Sequence, residues 1–133
     1  MAFVLDVSVA AVWALADESS PLADSTAQRL LEEMALVPPI WWYEIRNLLV
    51  MSERRQRITP DQSAIFLELL SGYPIQVDPI QDEQTTFRFA RQFKLSFYDA
   101  AYVAIAHRNH VPIATLDQAV VTAADSLGIP LLA

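Results

Sequence analysis

Cysteine is absent from the chain, which excludes disulfides and thiolate metal sites and fits a reducing cytoplasm. Glycine occurs only twice, at Gly72 and Gly128, so no glycine-rich loop can cradle a phosphate, and P-loop and Rossmann nucleotide binding fall away. Lysine occurs once, at Lys94. The longest purely apolar run, residues 9–16, is far too short to span a membrane. No basic segment precedes an apolar stretch at the N-terminus, so no secretory leader is expected. Basic charge is also scarce: 9 Lys and Arg against 16 Asp and Glu give a net charge of −7. Nucleic-acid binders are usually basic. This balance speaks against nucleic acid unless the acids are gathered in a metal site and the few bases are clustered.

What remains is apolar. The 133 residues suit one domain, 1–133, and their hydrophobic fraction of 53% is high for a small protein. That excess fits either a generous core or a further buried interface, as in an oligomer. Short apolar runs at residues 2–5, 36–37, 75–77, 113–114 and 131–132 predict strands. Stretches with helical period lie between them, at residues 8–16, 22–34, 40–54, 60–70, 81–93, 98–108 and 118–127. In the second of these, Ala23, Ala27, Leu30, Leu31 and Met34 fall on one face. Thr59 before Pro60 reads as an N-cap, and Gly128 as a C-terminal stop. Strands alternating with helices predict a parallel α/β sheet covered on both faces, with ligands beyond the carboxyl ends of the strands.

Four acids interrupt or end apolar runs: Asp6 after Phe3-Val4-Leu5, Glu44 after Trp41-Trp42-Tyr43, Asp99 between Phe97-Tyr98 and Ala100-Ala101, and Asp117 after Ile113-Ala114-Thr115-Leu116. A buried carboxylate is unfavourable by several kcal/mol unless paired, hydrogen-bonded or bound to a cation. Asp6 and Asp117 precede helices, so capping is an alternative for each. Ser96-x-x-Asp99 also fits a capping box. Glu44 lies well inside a helix and caps nothing, though it could be a lone glutamate reaching solvent. Two carboxylates at about 5 Å and an effective dielectric near 20 repel by roughly 3 kcal/mol. A cluster of four therefore needs protons or a cation, and an all-oxygen set suits Mg²⁺ or Mn²⁺.

These motifs, in this order, resemble the PIN-domain nucleases, and among them the VapC-type toxins of toxin–antitoxin pairs. The likeness runs nearly end to end, through Asp6-Val7-Ser8, the segment from Val37-Pro38-Pro39 through Glu44-Ile45-Arg46-Asn47 to Leu48-Leu49, Leu95-Ser96-Phe97-Tyr98-Asp99-Ala100-Ala101-Tyr102, and Ala114-Thr115-Leu116-Asp117. The resemblance implies a three-layer α/β/α sandwich with a central parallel sheet. It implies a cytoplasmic endoribonuclease dependent on Mg²⁺ or Mn²⁺, cutting transfer or ribosomal RNA to leave a 5′-phosphate and a 3′-hydroxyl. Asp6, Glu44, Asp99 and Asp117 match the family's acidic quartet, as catalytic residues and metal ligands. Ser8, Asn47 and Thr115 match its supporting positions, while Gln118 stands where the family often carries a base. A VapB-type antitoxin and a homodimer are implied as partners.

Arg54, Arg55 and Arg57 after the glutamate helix, and Arg88 and Arg91 on another, are candidates for RNA phosphates; cations near helix ends are also favoured by the helix dipole. His107 and His110 read as solvated residues at a helix end rather than a metal pair. Trp13, Trp41, Trp42, Phe87, Phe89 and Phe93 read as core before base-stacking platforms. Two other functions compete. One is a non-catalytic module whose acidic pocket receives a basic partner segment. The other is an aspartate-based phosphoryl-transfer domain, disfavoured because Lys94 is the only lysine and Ser8 stands where a second aspartate is needed.

Overall fold

The first apolar run forms β1 (Ala2–Leu5), and Phe3, Val4 and Leu5 are entirely buried. A strand buried on both sides belongs at the centre of a parallel sheet, and β1 is central in the computed structural model, which describes all 133 residues. On one side β1 pairs with β2 (Met34–Val37), with Phe3 opposite Ala35, and β2 pairs with β3 (Ile75–Val77). On the other side β1 pairs with β4 (Ile113–Ala114), with Leu5 opposite Ala114. Every pairing is parallel and the strand order is β3-β2-β1-β4.

Seven helices cover this sheet in a three-layer α/β/α arrangement. The helices α1 (Val7–Ala14), α2 (Pro21–Arg29) and α3 (Ile40–Arg54) pack as one group. A fourth, α4 (Pro60–Ser71), opens with a full capping box: the Thr59 hydroxyl accepts the Gln62 N–H, and the Gln62 side chain accepts the Thr59 N–H. The second group is α5 (Glu83–Phe93), α6 (Phe97–Asn109) and α7 (Gln118–Ser126). Of these, α6 is the most buried, with Tyr102, Val103 and Ile105 inside the protein, and it packs on β1 and β2. Gly128, at φ 71°, turns the chain after α7 as only glycine does without strain.

Four expectations need correction. The helix expected over 22–34 ends at Arg29, because Met34 is drawn into β2, where it pairs with Ala2 and donates its N–H to Met1 O. Leu31, placed on the buried face by periodicity, is 79% exposed in the intervening turn. The last strand, at 131–132, shrinks to a single bridge between Leu131 and Ile113. Trp42 and Phe87 are exposed rather than core, while Trp41 and Phe89 are buried as expected.

Candidate active site

Strand order reverses at β1: the chain moves outward to β2 and β3, then returns to place β4 on the opposite side. The crevice beyond the carboxyl ends of β1 and β4 is the topological switch point at which parallel α/β sheets bind ligands. Asp6 follows β1 directly and is 2% exposed. Its Oδ2 accepts the Ser8 hydroxyl, the Ser8 N–H at 3.4 Å and the Thr115 hydroxyl at 3.0 Å. Those hydroxyls in turn accept backbone donors from the loop after β4: Ser8 from Leu116 at 2.9 Å, Thr115 from Asp117 at 3.0 Å. The two strand ends are thereby laced together. Asp6 Oδ1, by contrast, is shielded from solvent and has no hydrogen-bond partner.

The other acids come from three helices. Asp99 is the third residue of α6, where the Ser96 hydroxyl caps the helix by accepting the Asp99 N–H at 3.0 Å. Asp117 is the N-cap of α7, its Oδ1 accepting the N–H groups of Ala119 at 2.9 Å and Val120 at 3.4 Å. Asp6 likewise caps α1 through Ser8 N–H. Capping is therefore real at both positions, and it leaves one oxygen of each carboxylate unengaged. Glu44, half-buried in the second turn of α3, accepts a 2.6 Å hydrogen bond from the Tyr102 hydroxyl at Oε1.

Electrostatics bind these groups into one site. Burial lifts the Asp6 carboxyl above its ordinary value; hydrogen bonds from Ser8 and Thr115 resist the rise and the charge of Asp99 adds to it. Burial also lifts Glu44; the Tyr102 bond opposes this, and the charges of Asp6 and Asp99 reinforce it. Asp99 is raised by burial, then by Asp117, with Ser96 opposing. Asp99 is thus the hub, coupled to each of the other three acids. Tyr102 has its hydroxyl proton held far more tightly than usual, first by burial and then by Glu44.

The donors gathered here are all oxygen, the chemistry of a hard divalent cation. No three of the acids converge into a closed coordination set. Mg²⁺ does not require one, because it binds through one or two carboxylates and keeps several waters. The orphaned Asp6 Oδ1 and the raised carboxyls of Asp6, Glu44 and Asp99 fit a hard cation: one buried oxygen has no partner, and the three acids have their charged forms disfavoured by burial and then by neighbouring carboxylates.

The remaining sequence candidates lie further out. Asn47 is exposed one turn beyond Glu44 and stays outside the network. Arg54 and Arg55 sit at the far end of α3, about 15 Å along the axis from Glu44. Arg57 is engaged by Asp17 at 3.0 Å and Glu18 at 3.6 Å. Arg88 and Arg91 lie over the rings of Phe89 and Phe87. His107 meets the ring of Phe89 edge-on, and His110 takes the left-handed C-cap of α6. Sequence reasoning overlooked Tyr102; the available signal was its position three residues after Asp99, on the same helix face. It also overlooked a cleft of about 640 Å³ lined by Ile40, one turn before Glu44, and by Tyr98, next to Asp99. Arg108 lines the same cleft, paired with Asp78 at 3.0 Å and Asp82 at 3.7 Å.

A parallel α/β/α sandwich with acids collected at its switch point defines a class, and the comparisons identify the family. The PIN domain model matches residues 3–125, and the chain belongs to that family. The fold is similar to that in a structure titled "Crystal structure of PAE2754 from Pyrobaculum aerophilum", with a TM-score of 0.67 over 92% of this chain and 87% of that one, at 23% identity. No curated protein matches in sequence. PIN domains are generally nucleases acting on RNA or DNA, and they typically use divalent metals. No helix is long and apolar enough to cross a membrane.

Proposed function

We propose that the chain, acting as one PIN domain, is a metal-dependent endoribonuclease, with Asp6, Glu44, Asp99 and Asp117 as its catalytic acids. The observation that carries this reading is the unpartnered, buried Oδ1 of Asp6 at the switch point, in a site whose carboxyls are raised by burial and further by neighbouring charge. Asp6 and Asp99 are the principal ligands of Mg²⁺ or Mn²⁺, Glu44 ligates or positions water, and Asp117 contributes from the outer side. When bound, the metal acidifies a water and neutralises charge on the leaving oxygen. Ser8 and Thr115 hold Asp6 in place, and the acids set the direction from which water reaches the phosphorus. Water adds as the P–O3′ bond breaks and its proton passes to the leaving oxygen, giving a 5′-phosphate and a 3′-hydroxyl.

The toxin role is part of the same proposal. The cleft beside the acids has apolar walls at Pro38, Ile40 and Ile80 and acidic groups at Asp82 and Glu83. That chemistry suits a basic, apolar peptide such as the tail of a VapB-type antitoxin. Ile65 and Leu69, exposed four residues apart on α4 and outside that cleft, support a homodimer. The substrate is an RNA of the transfer or ribosomal class, met in the cytoplasm, with the solvent-exposed Arg54 and Arg55 as phosphate contacts.

The test is cleavage of a mixed RNA pool by partner-free protein, with Mg²⁺ or Mn²⁺ and with EDTA, beside Asp99→Asn. Cutting that needs metal and is lost in the variant is the expected result. Cutting that persists in EDTA or in Asp99→Asn removes the assignment.

A further inference from the structure

Glu44 and Tyr102 are 58 residues apart in sequence, yet the phenol hydroxyl lies 2.6 Å from Glu44 Oε1. The bond joins α3 to α6, and so links the two helix groups. Tyr102 is wholly buried, and its ring is fixed by the core around it. Glu44 is only half-buried and has three rotatable side-chain bonds. Of the two partners, the tyrosine is the rigid one. Its neutral hydroxyl can donate only while protonated, and its burial keeps it so. The other acids are held differently: Asp6 by two hydroxyls and an N–H, Asp117 by two backbone N–H groups. The Tyr102 bond is the one hydrogen bond that fixes the Glu44 carboxylate.

We infer that Tyr102 is a positioning residue: it holds Oε1 of Glu44 and leaves Oε2 as the single oxygen offered to the metal or its water. The inference rests on the nuclease reading of the acidic site. On α6, Asp99 and Tyr102 lie three residues apart on one face. The helix thus supplies one acid itself and orients a second from across the site. Partners of this kind, one bond removed from a metal ligand, typically change metal affinity 10–100-fold (about 1.4–2.7 kcal/mol) when removed.

The experiment compares wild type, Tyr102→Phe, Glu44→Gln and the double variant as purified, partner-free protein. Mn²⁺ affinity is measured by calorimetry, and thermal midpoints are recorded alongside. Tyr102→Phe keeps the ring and removes only the donor. It is expected to weaken Mn²⁺ binding about tenfold or more, and to add little in the Glu44→Gln background. An equal loss in both backgrounds, or none in either, overturns the positioning role while leaving the nuclease reading standing. Wild type that binds no Mn²⁺ removes the metal reading and this inference with it. A second measurement covers a variant that does not fold: the side-chain methylene relaxation of Glu44 in metal-free wild type. An ordered arm is expected; one mobile on the picosecond-to-nanosecond scale overturns the proposal.

Discussion

The hydroxyl of Thr115 lies 3.0 Å from Oδ2 of Asp6, although the two residues are 109 positions apart in sequence. It donates to the carboxylate and accepts the Asp117 N–H, so one small side chain sets both the central acid and the start of α7. Thr115→Val has nearly the same shape but can do neither. The variant is expected to lose about 1–2 kcal/mol of stability in urea unfolding, because a buried carboxylate oxygen loses a donor and a backbone N–H loses its acceptor. Mn²⁺ affinity should fall about tenfold as Asp6 loosens. Unchanged affinity with reduced stability would make Thr115 a structural residue only.

Asp99 has its charged form disfavoured first by partial burial and then by the charge of Asp117, so it holds the metal-free protein below its attainable stability. Asp99→Asn keeps the shape and removes the charge. In EDTA the variant is expected to melt a few degrees above wild type, by about 1 kcal/mol at most, since partial exposure screens the repulsion. With Mn²⁺ the order should reverse, because only wild type gains binding energy. A variant less stable than wild type in EDTA would mean that Asp99 makes a favourable structural contact.

Much of this is legible in the sequence, for a definite reason. Asp6, Glu44, Asp99 and Asp117 are conspicuous because each breaks an apolar run, where an acid is otherwise unfavourable. The start of α4 is equally plain, since Thr59, Pro60 and Gln62 act within four residues of one another. Where long-range pairing decides, local pattern fails. Leu30, Leu31 and Met34 keep helical spacing, yet the strand partnership of Met34 with Ala2 ends the helix early. Tyr102 is hidden for the opposite reason: a tyrosine among Ala, Val and Ile looks like ordinary core, and its partner Glu44 lies on another helix.

The acids also fix how the protein responds to pH. The folded-state values of Asp6, Glu44 and Asp99 lie above the ordinary 3.8, 4.5 and 3.8. The folded, metal-free state therefore binds protons more tightly than the unfolded chain. Their contribution to stability is fully present below those ordinary values, and it is lost as pH rises through the elevated ones. Metal binding runs the other way, because the cation displaces the same protons. Metal-free Asp99→Asn should show a weaker decline in stability than wild type as pH rises from 4. Wild-type Mn²⁺ affinity should increase across the same interval. Thermal melts in EDTA and calorimetry from pH 4 to 7 check both, and affinity independent of pH would mean that the raised carboxyls are not the ligands.

Asp117 combines two roles that separate variants can part. Its Oδ1 caps α7 through Ala119 and Val120, while its charge acts on Asp99. Asparagine caps a helix about as well as aspartate, whereas alanine forfeits about 1 kcal/mol. Asp117→Asn should thus stay within about 0.5 kcal/mol of wild type, and Asp117→Ala should fall below it by about 1 kcal/mol. If the charge helps hold the metal, both variants weaken Mn²⁺ binding by the same factor despite their different stabilities. Wild-type affinity in Asp117→Asn would reduce this residue to a cap and leave the metal to Asp6, Glu44 and Asp99, so the paired measurement determines whether the site uses three acids or four.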